Sequence, residues 1–517
     1  MKTPRPFLYF LSFLEGGSVM VCELVGAKML APFFGTSLYI WAAVLGLTLL
    51  GLTSGYFLGG IFSKKYAKDE RLLFWVLVTA GLFLAVMPIT SQWIMGATIE
   101  MSLQVGAIIS LMVFMFPPLV FMGMTSPIII NLLTQDADSA GSSAGNVYAI
   151  STVGGILFTF LMGFYFIPEF GVSKPAAITG FLLAALPAVS LIRRKQRMAG
   201  ALLLLMIVIG GWKLGQAEQY PSNYKVLYES EGILGQVKVV DLPSYEITPD
   251  ARMGRGLIVN NTLQTFVGLD HDLEYSIWSW ANYFPTAASI FPQGSKVLLL
   301  GLGGGTIVKQ FNRMGYEVDV VEIDKRIWDV SVKYFNMPAT TNVIIDDARH
   351  YIRIAKKKYD IIVFDTFLSE SVPEHLMTQE GFADARRILN PGGMIMANFY
   401  GFIKGEPGQA ARSVYKTFLA SGFETEILAT PGTEDTRNLI FLASEKEKDF
   451  SKADFKAIGF EEIDDLYVHF LNPKHIDTSD VEVLVDAKPR LSKLYAKASM
   501  RWKKSYNEYY RKYFFGK

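Results

Sequence analysis

The feature that most constrains this chain is the run of apolar segments filling its first 212 residues. From Phe7 to Trp212 charges are scarce, whereas from Gln216 onward the composition is that of an ordinary globular domain. A helix needs about 20 apolar residues to cross the hydrocarbon core of a bilayer. Seven segments approach that length: 7–31, 37–62, 71–95, 102–132, 145–168, 173–192 and 198–215. The fourth is too long for a straight span, and Pro117-Pro118 predicts a kink within it. The seventh has an uncharged core of only Ala199 to Trp212, a length at which re-entrant and interfacial segments are common. In the second, Gly51, Gly55 and Gly59 recur every four residues and form a smooth stripe for close helix packing.

Charges inside and between these segments add detail. Glu15 and Glu23 lie eight residues apart in the first segment, with Lys28 beyond them, and intramembrane ionisable groups usually face a bundle interior or a watery cavity. A cation pathway and a structural Glu–Lys pair both remain open. Lys2, Arg5, Lys64, Lys65, Lys68 and the Arg193-Arg194-Lys195 cluster fall on one side of the membrane if the N-terminus is cytoplasmic. A full seventh span would then carry the remaining chain to the other side, so the side of the soluble half stays open. The first apolar stretch carries three charges and is followed by no small-residue cleavage site, so it is not expected to be a cleaved leader.

The formal net charge of +1 argues against polyanion binding, and nucleic acid is not expected as a partner. The one cysteine, Cys22, leaves no intrachain disulfide, and five scattered histidines offer no metal cluster.

Beyond Gln216 the pattern turns to short strands. Tyr224–Glu231, Gln236–Asp241 and Arg255–Asn260 predict a small antiparallel sheet. From Lys296 the runs VLLLG, EVDVVEID, NVIID and YDIIVFD alternate with helical stretches, which predicts a parallel sheet with crossover helices. Ligands of such sheets bind beyond the carboxyl ends of the strands. Gly301, Gly303, Gly304 and Gly305 follow the first of these strands, where they permit a tight turn and close ligand approach at a helix N-terminus. Glu322, ending the second, can accept both hydroxyls of a ribose. Asp347, after the third, is placed to accept from an adenine amino group, and Asp365 ends the fourth.

Taken in order, these pieces resemble the spermidine synthase family, in particular its membrane-fused branch (fused MFS/spermidine synthase). FFGTSLYIWAAVLGLTLLGLTSGYFLGG, FMGMTSPI and AGNVYAISTVGG carry the likeness in the membrane half. VLLLGLGGGT, VVEIDKRIWDVSVKYF, IIDDARHYI, YDIIVFDTF and SVPEHLMTQEGF carry it in the soluble half. The resemblance implies a pocket for decarboxylated S-adenosylmethionine as co-substrate, or S-adenosylmethionine, and no metal. It implies nucleoside binding by Gln264, Gly301, Gly303, Gly305, Glu322 and Asp347, and Asp365 as the base that deprotonates an attacking amine.

The chain departs from the family's pattern where amines are held. Gly304 replaces an aspartate, Leu368 replaces a second one, and Trp278-Ser279 stand for a His-Glu pair. Glu370 and Glu374 are substitutes from the following loop, and Trp278, Trp280 and Tyr400 offer aromatic faces to a cation. The implied partners are a polyamine or other amine and the lipid bilayer; a homo-oligomer is compatible with the sequence.

The expected organisation is a transmembrane helical domain over 1–215, a small β subdomain over 216–295, a Rossmann-like adenosyl-binding domain over 296–446 and a basic, aromatic tail over 447–517. Lys488 to Lys517 holds ten Lys/Arg against one acid, which reads either as a helix lying on anionic lipid or as a helix packed on its own domain. The expected function is a multi-pass enzyme of the cell (inner) membrane that transfers an aminopropyl group to a polyamine acceptor. The alternatives are an S-adenosylmethionine-dependent methyltransferase, and a polyamine or nucleoside transporter whose soluble domain senses ligand. Leu299-Leu300, where a methyltransferase usually has an acid before the glycine turn, count against the former.

Overall fold

The computed structural model describes residues 3–34, 38–98, 101, 103–134, 136, 139–215, 224–243, 253–269, 276–278, 280–367, 373–453, 466–496, 498, 499 and 501. The chain divides into two compact units, Met1–Gln219 with Ser230–Gln236, and Tyr220–Glu229 with Val237–Lys517.

The first unit is helical: α1 (Arg5–Phe34), α2 (Leu38–Lys65), α3 (Glu70–Thr98), α4 (Leu103–Phe114), α5 (Phe116–Leu133), α6 (Ala140–Leu161), α7 (Ile167–Phe170), α8 (Ser173–Arg193) and α9 (Arg197–Gly215). Pro117 and Pro118 fall in the first turn of α5, where a missing N–H costs nothing, so the expected kink becomes the α4–α5 break at Met115. A π-turn, Met162–Phe166, joins α6 to α7. Among the described residues, six helical stretches are long and apolar enough to cross a membrane. The seventh expected segment forms α9, of which Arg197–Val208 lies among the residues with described side chains.

Close packing follows the glycines. A Cβ on Gly55 would lie 2.3 Å from the carbonyl oxygen of Val120, and one on Gly59 2.6 Å from that of Met124, so the α2 stripe is the seat of α5. Gly16 and Gly154 bring α1 against α6 in the same way, each with a backbone carbonyl 2.0 Å from where a Cβ would sit. At one end of the bundle Glu70 accepts from the Thr3 N–H (2.8 Å) and pairs with Arg194, tying the start of α1 and the start of α3 to the end of α8.

The second unit begins with a four-stranded antiparallel sheet, β1 (Lys225–Gly232), β2 (Gly235–Pro243), β3 (Met253–Val259) and β4 (Thr262–Gly268), in that spatial order. The fourth strand went unread in the sequence because the Asn260-Asn261 turn that makes the β3–β4 hairpin looked like the end of the sheet; both asparagines take positive φ. Helix α10 (Trp280–Ala288) leads into the larger sheet: β5 (Lys296–Leu300), α11 (Thr306–Arg313), β6 (Glu317–Glu322), α12 (Lys325–Tyr334), β7 (Asn342–Ile345), α13 (Ala348–Ile354), β8 (Tyr359–Phe364), α14 (Gln379–Arg387), β9 (Leu389–Tyr400), α15 (Gln409–Ala420), β10 (Glu424–Ala429) and β11 (Asn438–Ser444). Its order is β10-β11-β9-β8-β5-β6-β7, with β5 to β9 parallel and β11 antiparallel to both neighbours. The strand order reverses between β5 and β8, and a parallel sheet opens its ligand crevice at such a point.

Each face of the large sheet buries its own apolar core. One holds Leu298, Ile362, Phe382 and Phe418; the other holds Val297, Leu299 and Val363, and runs on through Val237, Val239, Leu257 and Val267 of the small sheet. The small sheet is thereby fixed against the sheet that carries the strand ends. The described part of the C-terminal segment packs on this unit, with Leu491, Tyr495 and Ala498 in the first of these cores.

Candidate functional site

The candidate site lies at the carboxyl ends of β5, β6, β7 and β8. The turn after β5 is forced by its glycines: Gly301, Gly303 and Gly305 all have positive φ, at 91°, 53° and 76°. A Cβ on Gly301 would come within 2.2 Å of the Asp365 carbonyl oxygen, so this turn touches the backbone that carries the candidate base. Thr265, on β4, closes the turn from the other side, its Oγ1 accepting from the Gly304 N–H at 2.8 Å. A side chain on Gly304 would meet the Thr265 methyl at 2.7 Å, so an acid there would have to displace Thr265. Gln264 is the extra residue of a β-bulge, since Leu257 pairs with Thr265 and Ile258 with Leu263. Bulges re-aim side chains beside active sites.

Glu322 ends β6 buried, with Oε2 accepting from the Leu302 N–H (3.0 Å) and Oε1 from the Asp324 N–H (2.9 Å). Burial raises its carboxyl to about 7, the two backbone donors opposing the rise. Asp324 caps α12 through the Arg326 N–H and also pairs with the Arg326 guanidinium at 2.6 Å. Asp347 caps α13, its Oδ1 taking the His350 N–H at 3.0 Å, while Oδ2 stands 3.4 Å from His375 Nε2.

Asp365 follows β8, and its Oδ1 accepts from Asn398 Nδ2 at 2.9 Å. Asn398 Oδ1 in turn accepts from Asn438 Nδ2 at 2.9 Å, so a chain of two amides across β9 and β11 aims at the carboxylate. Burial lifts the Asp365 carboxyl to about 6, with the Asn398 hydrogen bond holding it down. A carboxylate ionising just below neutrality suits a general base.

Around this centre the amine-binding candidates scatter. Tyr400 is partly buried two residues past Asn398, with Phe367 edge-on at 5.0 Å. Trp278 packs near Phe266 in the separate cluster of Val240, Leu242, Ile258 and Leu263, on the face of the small sheet turned away from the large one. Glu374 gives Oε1 to the Ser492 N–H at 2.9 Å. Glu370 and Leu368 lie outside the described residues. Thr265, Asn398 and His375 were not singled out from the sequence; Asn398, a lone amide in the apolar strand MIMANFY, carried the one visible signal.

In the helical unit the charged groups singled out within the apolar part of α1 turn to different surroundings. Ser151 Oγ donates to Glu15 Oε2 (3.1 Å), and Lys28 Nζ lies 6.0 Å from the Trp41 ring centroid.

Comparison with known proteins falls on the same strand ends. Residues 285–404 match the spermine/spermidine synthase domain. A polyamine aminopropyltransferase from Vibrio vulnificus is 34% identical over 151 residues, which cover 26% of this chain and 50% of that protein. Polyamine aminopropyltransferase 2 from Aquifex aeolicus is 22% identical over 370 residues, 68% of this chain and 70% of that protein. An N-terminal histidine N-methyltransferase from Emericella nidulans is 33% identical over 115 residues, 21% of each chain. The chain thus spans half the length, or less, of the relatives it matches at above 30% identity. The glycine turn, Glu322, Asp347 and Asp365 all lie within residues 285–404, the stretch that is similar to the spermine/spermidine synthase domain.

Proposed function

We propose that the chain is a membrane-bound aminopropyltransferase acting on decarboxylated S-adenosylmethionine and an amine. The observation that carries this reading is the half-buried Asp365 carboxylate, held by Asn398 on a residue whose backbone carbonyl meets the glycine turn, with Glu322 on the other side of that turn accepting from the Leu302 N–H. In this reading Glu322 and Asp347 hold the ribose and adenine, and Gln264 and Gly301 to Gly305 shape the nucleoside pocket. An aliphatic ammonium has a pKa of about 10.4 and is no nucleophile until it loses a proton. Asp365 takes that proton. The freed nitrogen lone pair attacks the carbon beside the sulfonium, the C–S bond breaks, and its electron pair leaves with neutral methylthioadenosine. Holding the two reactants together supplies much of the rate. The six apolar helices would keep this chemistry at the bilayer.

The test gives the purified chain decarboxylated S-adenosylmethionine with mixed amines and, separately, S-adenosylmethionine, with products read by mass spectrometry. Methylthioadenosine formation that is lost in Asp365→Asn is the expected result. S-adenosylhomocysteine would make the chain a methyltransferase instead, and neither product would leave ligand sensing as the better account of the domain.

A further inference from the structure

The two ends of α8 differ sharply in charge. Just past its close, Arg194 pairs with Glu70, which also accepts from the Thr3 N–H at 2.8 Å. Lys68 Nζ donates to the Thr134 carbonyl at 3.1 Å, which brings the end of α5 to the same end of the bundle. The links 62–71 and 193–197, both at this end, hold Lys64, Lys65, Lys68, Arg71, Arg193, Arg194, Lys195 and Arg197. The links 35–37, 99–102 and 171–174, at the other end, hold Lys174 alone among lysines and arginines. Short links rich in Lys and Arg stay in the cytoplasm.

The start of α8 lies a full helix length from Arg194. Its 21 residues make it about 31 Å long, close to the thickness of a hydrocarbon core. Val172, at its N-cap, supplies no capping side chain. The orphan N–H groups of Val172 and Ser173 donate instead to Glu231 Oε2, at 2.7 and 3.3 Å. A carboxylate suits a helix start, where the dipole is positive. Gly171 makes room for it: its φ is 77°, and a Cβ there would lie 2.7 Å from the same oxygen. Glu231 belongs to Ser230–Gln236, the stretch that forms part of the helical unit. By Ser230, then, the chain has reached the end of the bundle opposite the basic links.

Between Arg194 and Ser230 lies α9. Lys195 turns the chain at φ 65°, α9 begins at Arg197 at the basic end, and its Ala199 and Met206 are buried. A single chain crosses lipid only as a helix, because each backbone polar group has to be bonded internally. Among the described residues, α9 is the element between Arg197 and Ser230 that can do this, with 19 residues and a length of about 28 Å.

We propose that α9 is a seventh crossing and that the strand-end site works on the non-cytoplasmic side of the membrane. This rests on the membrane-bound part of the proposed function and not on its transfer chemistry. It also gives the reaction a place in a sequence. Decarboxylated S-adenosylmethionine carries a permanent sulfonium charge, and a charge is costly to move into hydrocarbon. A step that exports this cationic nucleoside must therefore precede the reaction.

The experiment labels the full-length chain in intact and in lysed spheroplasts with a membrane-impermeant maleimide. Cys22→Ala removes the one native thiol. Lys195→Cys then marks the basic end, and Lys446→Cys marks the soluble unit; both lysines are exposed. Lys446→Cys should label to the same extent before and after lysis, and Lys195→Cys only after it. Protection of Lys446→Cys until lysis, or labelling of both positions in intact spheroplasts, overturns the proposal. Labelling as expected in a chain that forms no methylthioadenosine would leave the orientation standing and remove the transfer reading alone. Recovery of the chain in the soluble fraction would overturn both the orientation and the membrane-bound reading.

Discussion

Replacing Asn398 by alanine tests the base from a residue that touches neither substrate. Two opposing effects set the ionisation of Asp365: burial raises it to about 6, and the 2.9 Å hydrogen bond from Asn398 lowers it. A hydrogen bond to a charged group is worth about 1.5–3 kcal/mol. At about 1.36 kcal/mol per pH unit, its loss moves the ionisation of Asp365 up by about one to two pH units. The acidic limb of kcat, measured at saturating amine so that it reports groups in the complex, should therefore move from near 6 to between about 7 and 8. At pH 7 the base would pass from mostly ionised to mostly protonated, and kcat should fall several-fold, then recover on the alkaline side. Asp365→Asn should abolish the limb, and Asn398→Ala added to it should cause no further loss of rate, because the two groups form one coupled unit. An Asn398→Ala enzyme whose limb stays near 6 with a uniformly lower plateau would refute the assignment of Asp365 as the titrating base.

Three further outcomes can be checked on the same protein. Asp365→Asn should lower kcat by about 10²–10⁴-fold, the usual worth of a general base, while calorimetry shows methylthioadenosine binding intact. Glu322 ionises at about 7 in the fold against 4.5 in the unfolded chain, so the fold binds its proton more tightly; the associated stability is full below pH 4.5 and is lost as pH rises through 7. That difference corresponds to about 3 kcal/mol, and Glu322→Gln should flatten the fall in Tm of the ligand-free chain between pH 5 and 8. Gly301→Ala, at φ 91° and 2.2 Å from a backbone oxygen, should cost about 1–3 kcal/mol or more in denaturant unfolding, whereas Gly392→Ala, at φ 77° with open space around it, should show the backbone cost alone.

The parts of the fold that were legible in the sequence are those written in local patterns. Apolar length marked the helices, the seventh segment among them as α9. Alternating runs marked β5 to β8, and polar residues closing those runs marked Glu322, Asp347 and Asp365. The strands β9, β10 and β11 were not drawn, although β9 supplies Asn398 and β11 supplies Asn438. Both amides sit within apolar strands, where one polar residue has no periodicity to announce it, and only the pairing of β9 with β8 and β11 brings them to the carboxylate.

Other tertiary contacts were hidden for a different reason, and Gly304 shows it. From sequence, a glycine at a position where the resembled family has an acid reads as a lost contact. In the fold that space is taken by Thr265, which donates nothing to chemistry but accepts the Gly304 N–H and locks the small sheet to the turn. Glu374 is oriented by a backbone N–H more than a hundred residues further on, and no spacing rule connects the two. Which side chains meet is set by the tertiary contacts of Thr265, Ser492 and Tyr495 rather than by the motif that surrounds Asp365.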